Sequence, residues 1–167
     1  MIREMFHTQE KRTKQLKEAV ACVRNDAWLG VARYFWLDIE DAKFWGITSK
    51  KNTGWYEVYS AEIDCEDVLD TVFSEEQYNF WIRQIKKAEA AFKSKTKVRP
   101  TLKDLNDYFL DHGIWSKFGG IMFQDIANNE WHYIVKGFQY RKRIQLAVYK
   151  PDIISNFAHH FTDSVTN

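Results

Sequence analysis

Only two prolines, Pro100 and Pro151, interrupt the 167 residues. No low-complexity linker or internal repeat divides the chain, so a single domain spanning 1–167 is expected. The length agrees, being enough for one domain with a real core and too little for two ordinary ones. Cysteine is equally scarce. Cys22 and Cys65 lie on dissimilar segments without CxxC spacing or histidine-rich surroundings, which fits reduced thiols, and no zinc site is expected. No apolar run reaches the roughly 18 residues that span a bilayer. The start Met1-Ile2-Arg3-Glu4 lacks the apolar region of a signal peptide, so a cytoplasmic protein with no membrane partner is expected. Strong charge of one sign is missing too, and a formal net charge of +1 does not by itself imply nucleic acid.

What the chain has in quantity is rings. Hydrophobic residues make up 45% and aromatic residues 16%, which favours a globular fold with a ring-rich core over disorder. Leu16, Val20 and Val23 recur at helical spacing among lysines and predict an amphipathic helix over Gln9 to Val23 with a basic outer face of Lys11, Arg12, Lys14 and Lys17. Asp38, Glu40 and Asp41 precede Ala42, Phe44 and Trp45, as a helix dipole favours, and predict a short helix to about Ile47. Gly54 opens a β-rich strand over Trp55 to Ile63. Ser74 to Gln77 has the form of a capping box ahead of the longest helix, whose stripe is Tyr78, Trp81, Ile82, Ile85, Ala88 and Phe92. Thr101 and Asp104 start a further helix that Gly113 stops. Ile121–Gln124, Trp131–Val135 and Ile144–Tyr149 read as strands, separated by Asn128-Asn129 and Gly137. Helices in the middle and strands grouped late, without alternation, give the fold class α+β, with most of the sheet in the second half.

The densest cluster is Trp28-Leu29-Gly30 followed by Tyr34-Phe35-Trp36-Leu37-Asp38. Rings beside a glycine turn and an acidic helix start can stack a flat ligand and hold a sugar. Tyr34, Phe35 and Trp36 alternate faces on a strand, so Phe35 is expected in the core and Tyr34 as a ligand platform. Gln145, between Ile144 and Leu146, points away from the core face. Lys136, Arg141, Lys142 and Arg143 form either a solvated strand edge or a phosphate-binding cluster. The adjacent His159 and His160 make a poor metal site, and no metal is expected.

Trp28-Leu29-Gly30-Val31-Ala32-Arg33-Tyr34-Phe35-Trp36, with Asp41-Ala42 and Trp45 after it, resembles the "W-L-G-x-G-x-Y-F-W... A-x-x-W" signature of bacterial ADP-ribosyltransferase-like proteins, a group related to the PARP and diphtheria-toxin class. Phe6-His7-Thr8 is similar to the family's "Y-H-G-T", and Ala61 to Asp64 with Leu69-Asp70 to its "A-x-I-D... L-D" strand. Arg143 to Pro151, with Ile153 or Ile154, is similar to its "H-I-Q-I-x-V-x-N-P-x-x-I" ending. Nearly the whole chain is covered, with Phe73 to Phe118 matching only loosely. The resemblance implies a split, bent β-sheet with flanking helices that clamps NAD as co-substrate. It also implies that His7 holds the nicotinamide ribose, that the main chain at Thr8 holds the carboxamide, and that Tyr34 stacks on the nicotinamide. Gln145 stands where many members have a glutamate that steadies the ribosyl cation, Gly30 and Trp36 belong to the wall motif, and Arg143 is a candidate for the pyrophosphate.

These residue types suit the chemistry. Breaking the nicotinamide glycosidic bond builds positive charge on a ribose, which favours an aromatic platform, hydroxyl-directed hydrogen bonds and an electron-rich oxygen. A glutamine carbonyl offers that oxygen but is no base at neutral pH, which leaves Asp125 or Glu130 as candidates to activate an acceptor. The pattern differs at Thr8 and Ala32, which replace glycines, and at Arg143, which replaces a histidine. The expected activity is transfer of ADP-ribose to a macromolecule, with nucleic acid favoured over protein by the basic residues near Lys11 and Arg141. The resemblance further implies a toxin of a toxin-antitoxin or phage-defence system with an antitoxin partner. The alternatives are a catalytically silent module that binds NAD or ADP-ribose, and a factor that docks a partner protein through its aromatic surface.

Overall fold

Each helix begins where the chain supplies a capping oxygen. The structure, a computed structural model, describes residues 1–125 and 142–165. Asp38 accepts from the Glu40 N–H and opens α1 (Ile39–Ser49). Ser74 accepts from the Gln77 N–H and opens α2 (Glu75–Thr96), but the Gln77 side chain turns to the Asp70 N–H at 2.6 Å, so only half of the expected capping box forms. Thr101 and Asp104 close a full capping box on α3 (Leu102–Asp111), and Gly113 follows at φ +68°. All three helices stand where their caps predicted.

The strands are β1 (Ile2–Glu10), β2 (Arg33–Trp36), β3 (Trp55–Asp64), β4 (Val68–Asp70), β5 (Gly120–Asp125), β6 (Arg143–Val148) and β7 (Ile154–Ser164), the last entered through a 3-10 turn at Pro151–Ile153. They form one seven-stranded sheet in the order β4-β5-β6-β2-β1-β3-β7, antiparallel except for β4–β5. The fold class is α+β, a bent mixed sheet with flanking helices.

The strand pattern differs from expectation in three places. Among the described residues, four of the seven strands precede residue 71, so the described sheet is not concentrated in the second half. β7 was not expected, because Ile154–Ser164 mixes histidine, asparagine, serine and aspartate with its apolar residues and so lacks a clean alternation. The expected helix over Gln9 to Val23 does not form. Gln9 and Glu10 belong to β1, and the chain then crosses the sheet without regular structure, its Leu16 N–H donating to the Tyr59 hydroxyl and its Val20 N–H to His7. Side chains take up the amides that a helix would pair internally, and tertiary contacts outweigh the helical spacing. The strand expected at 131–135, together with Glu130, Lys136 and Arg141, lies outside the described residues.

β1 and β2 meet along a short seam. β1 pairs with β3 from Ile2↔Asp64 to Glu10↔Tyr56, whereas the only register pair with β2 among the described residues is Phe6↔Trp36. Beyond that pair the two halves of the sheet part. On one face Met5, Phe35, Ala61, Ile63, Met122 and Leu146 form a core. On the other, Phe6, Trp36, Tyr56 and Val58 pack with Ala42 of α1, while Ile121, Phe123 and Ala147 pack with Leu105 and Phe109 of α3. Both halves are anchored separately, which holds the seam open.

Candidate functional site

A cavity of about 410 Å³ occupies the parted seam. This lies within the roughly 300–1,000 Å³ typical of small-molecule sites. Strand register explains which side chains reach it. Trp36, Gln145 and Phe123 lie directly opposite one another across β2, β6 and β5, and Arg143 lies opposite Asp125, so this row shares one face. Tyr34, two residues before Trp36, joins them, and His7 and Thr8 follow Phe6 along the other lip. α1 adds Phe44, Trp45 and Thr48. The cavity thus brings together His7, Thr8, Tyr34, Trp36, Arg143 and Gln145 from three separate parts of the chain.

Gly30 is not among the lining residues and supports the wall from behind. Its φ of +76° is in the left-handed region, and a Cβ there would meet Asp107 Oδ1 at 2.5 Å. The turn it allows anchors Tyr34, whose hydroxyl donates to the Gly30 carbonyl at 2.9 Å and accepts from the Leu29 N–H at 3.2 Å. Burial raises the pKa of this phenol above its ordinary value. Asn106 of α3 secures the same turn by donating to the Leu29 carbonyl, and its own carbonyl accepts from Trp115 Nε1 at 2.9 Å. Ala32 has no positive φ and pairs in a bridge with Cys22.

His7 is 2% exposed, and each of its ring nitrogens has a fixed partner. The Tyr34 carbonyl can only accept, so Nδ1 carries the proton and donates to it at 2.8 Å. Nε2 then accepts from the Val20 N–H at 3.3 Å and from Gln9 Nε2 at 3.1 Å. Burial lowers the imidazole pKa to about 4, partly opposed by the bond to Tyr34 and reinforced by Lys50, Arg33 and Arg12. Neutral His7 therefore keeps Nε2 as an acceptor. Thr8 turns its hydroxyl to the Ala42 carbonyl at 2.9 Å, tying β1 to α1.

Arg143 is not on a solvated edge. It is 4% exposed, with Nε 3.5 Å from Asp41 Oδ1 and Nη2 3.2 Å from Asp125 Oδ2. Its guanidinium lies over the rings of Trp36 at 4.9 Å and Phe44 at 5.3 Å. A planar cation suits both contacts at once, and the aromatic row of the cleft is stiffened by it. Gln145, half-buried beside it, has no hydrogen-bond partner for its amide among the described residues. Its carbonyl is available to a ligand.

Three contributors were not picked out from the sequence. Asp41 was legible as a helix-start carboxylate, but its pairing with Arg143 spans about a hundred residues and leaves no local signal. Asn106 looked like an ordinary helix residue, and Lys50 like one of many lysines. Among the described residues no cluster could hold a metal ion, and no helix is long and apolar enough to cross a membrane. Comparison of the chain with protein-family models, curated proteins and solved structures finds no match.

Proposed function

We propose that this chain is an NAD-dependent ADP-ribosyltransferase that modifies a macromolecule, with nucleic acid favoured over protein. The observation that carries this reading is the convergence of His7, Tyr34 and Gln145, named by motif from three distant segments, on one cavity in a parted sheet. In this reading nicotinamide stacks on Tyr34, and the nicotinamide ribose donates a hydroxyl hydrogen bond to His7 Nε2 in place of Gln9. The bond from ribose C1′ to the nicotinamide nitrogen breaks, nicotinamide leaves with the electron pair, and the Gln145 carbonyl faces the developing cation. An acceptor oxygen or nitrogen then bonds C1′ and gives up its proton. In this reading Asp125, a cavity carboxylate paired with Arg143, receives it. A role as a toxin with an antitoxin partner follows from the resemblance alone.

A second reading is supported by one observation. Both His7 nitrogens are already occupied and Gln145 brings no full charge, an arrangement that also suits a module that binds NAD or ADP-ribose without cleaving it. Incubation with labelled NAD and cell extract separates the two. Label entering a nuclease-sensitive fraction, and lost in Tyr34→Ala, supports the transferase. Calorimetric binding of NAD with neither transfer nor nicotinamide release supports the silent module.

A further inference from the structure

We infer that Lys50 is the anion anchor of the cavity and takes a pyrophosphate group. Five acidic or basic side chains line the cavity: Arg24, Asp26, Lys50, Asp125 and Arg143. Two of the cations already have carboxylate partners. Arg24 grips Asp26 through Nε at 2.9 Å and Nη2 at 2.5 Å, and Arg143 lies against Asp125. The third cation, Lys50, makes no hydrogen bond or ion pair through its ammonium among the described residues. Glu10 is the carboxylate whose field reaches it, but both Glu10 oxygens accept from the Asn52–Thr53 turn, at 2.9 to 3.3 Å. Lys50 is half-buried, and burial lowers its pKa, opposed by Cys22 and Glu10 and reinforced by the repulsion of Arg24 and Arg12. Arg24 is matched by Asp26, and Arg143 by Asp41 and Asp125, which leaves the desolvated Lys50 ammonium as the cation on the cavity wall that an anion can match.

Its position fits this role. Lys50 follows α1 directly, held by its N–H to the Gly46 carbonyl at 3.1 Å, one turn beyond Trp45 and next to Thr48 in the same wall. The arginine expected to bind the pyrophosphate, Arg143, is instead enclosed by Asp41, Asp125 and two rings. The anion role therefore moves to Lys50. For NAD this rests on the proposed function, because the anion would be the dinucleotide's pyrophosphate bridge.

Inorganic pyrophosphate, NAD and nicotinamide riboside, which carries no phosphate, form the test, with binding to wild type, Lys50→Met and Lys50→Arg followed by calorimetry. Loss of a charge-assisted contact weakens pyrophosphate and NAD at least about tenfold in Lys50→Met, leaves the riboside unchanged, and is largely restored in Lys50→Arg. In the wild-type protein, pyrophosphate also slows acetylation of Lys50, read by mass spectrometry without any substitution. Equal pyrophosphate binding by wild type and Lys50→Met, or no protection of Lys50, overturns the inference. If pyrophosphate binds through Lys50 while NAD does not bind, the anion anchor stands and the NAD reading falls. If NAD binds equally well to Lys50→Met, the anchor falls and the NAD reading stands.

Discussion

His7 donates from Nδ1 to the main-chain carbonyl of Tyr34 at 2.8 Å, so a side chain bridges the seam where strand pairing between β1 and β2 has ended at Phe6↔Trp36. The bond links the lip that carries His7 to the lip that carries Tyr34, and it fixes the tautomer that leaves Nε2 as an acceptor facing the cavity.

A second proton, added at Nε2, makes stability depend on pH. The folded protein holds His7 neutral down to about pH 4, against an ordinary value of 6.5. The unfolded chain therefore binds the proton first, and protonation favours unfolding. His7 contributes its full stabilisation above pH 6.5, and this is lost as pH falls toward 4, by up to about 3 kcal/mol. Urea unfolding at a series of pH values should show the decline, and His7→Gln should flatten it across that window. Nitrogen NMR should place the proton on Nδ1, the less common tautomer.

Arg143→Met should destabilise the fold by about 3–5 kcal/mol, because it leaves Asp41 and Asp125 in the wall without their cation. Adding Asp41→Asn should recover part of that loss, since Asp41 is 1% exposed and its charge is the costly remainder. Chemical denaturation of the two variants measures both effects. Full additivity of the two substitutions would contradict the pairing.

Gly30→Ala should lower stability by about 1–2 kcal/mol through its left-handed backbone and its approach to Asp107. It should also loosen Tyr34, whose hydroxyl is held by that turn. Thermal melting reads the first effect, and weakened NAD binding reads the second.

How far the sequence reveals the protein differs by element. Asp38, Ser74 and Thr101 place three helix starts, because capping is a local interaction between neighbours in the chain. Strand alternation turns Gln145 away from the core face and puts Tyr34 and Trp36 on one side of their strand, and the cavity brings the three together. The 11–32 segment was not legible. Leu16 and Val20 sit at helical spacing, yet Tyr59 and His7 take their amide protons, and both partners come from other strands. The burial of Arg143 was hidden for the same reason, since Asp41, Trp36 and Phe44 meet it only after the sheet forms.

Gln145→Glu should raise the rate of nicotinamide release from NAD, because a full negative charge steadies the ribosyl cation better than an amide carbonyl. An increase of about tenfold or more is expected, measured chromatographically as free nicotinamide. Gln145→Leu should reduce release below wild type. A rate indifferent to both substitutions would remove Gln145 from the reaction.

The placement of the nicotinamide ring is the most direct check on the cleft. Isotope-filtered NMR on the NAD complex should give nuclear Overhauser contacts between the ring protons of Tyr34 and those of the nicotinamide, with Trp36 close by and the contacts absent in Tyr34→Ala. Contacts from nicotinamide to another surface of the protein, or no bound NAD at all, would contradict the assignment of the parted β1–β2 seam as the NAD site.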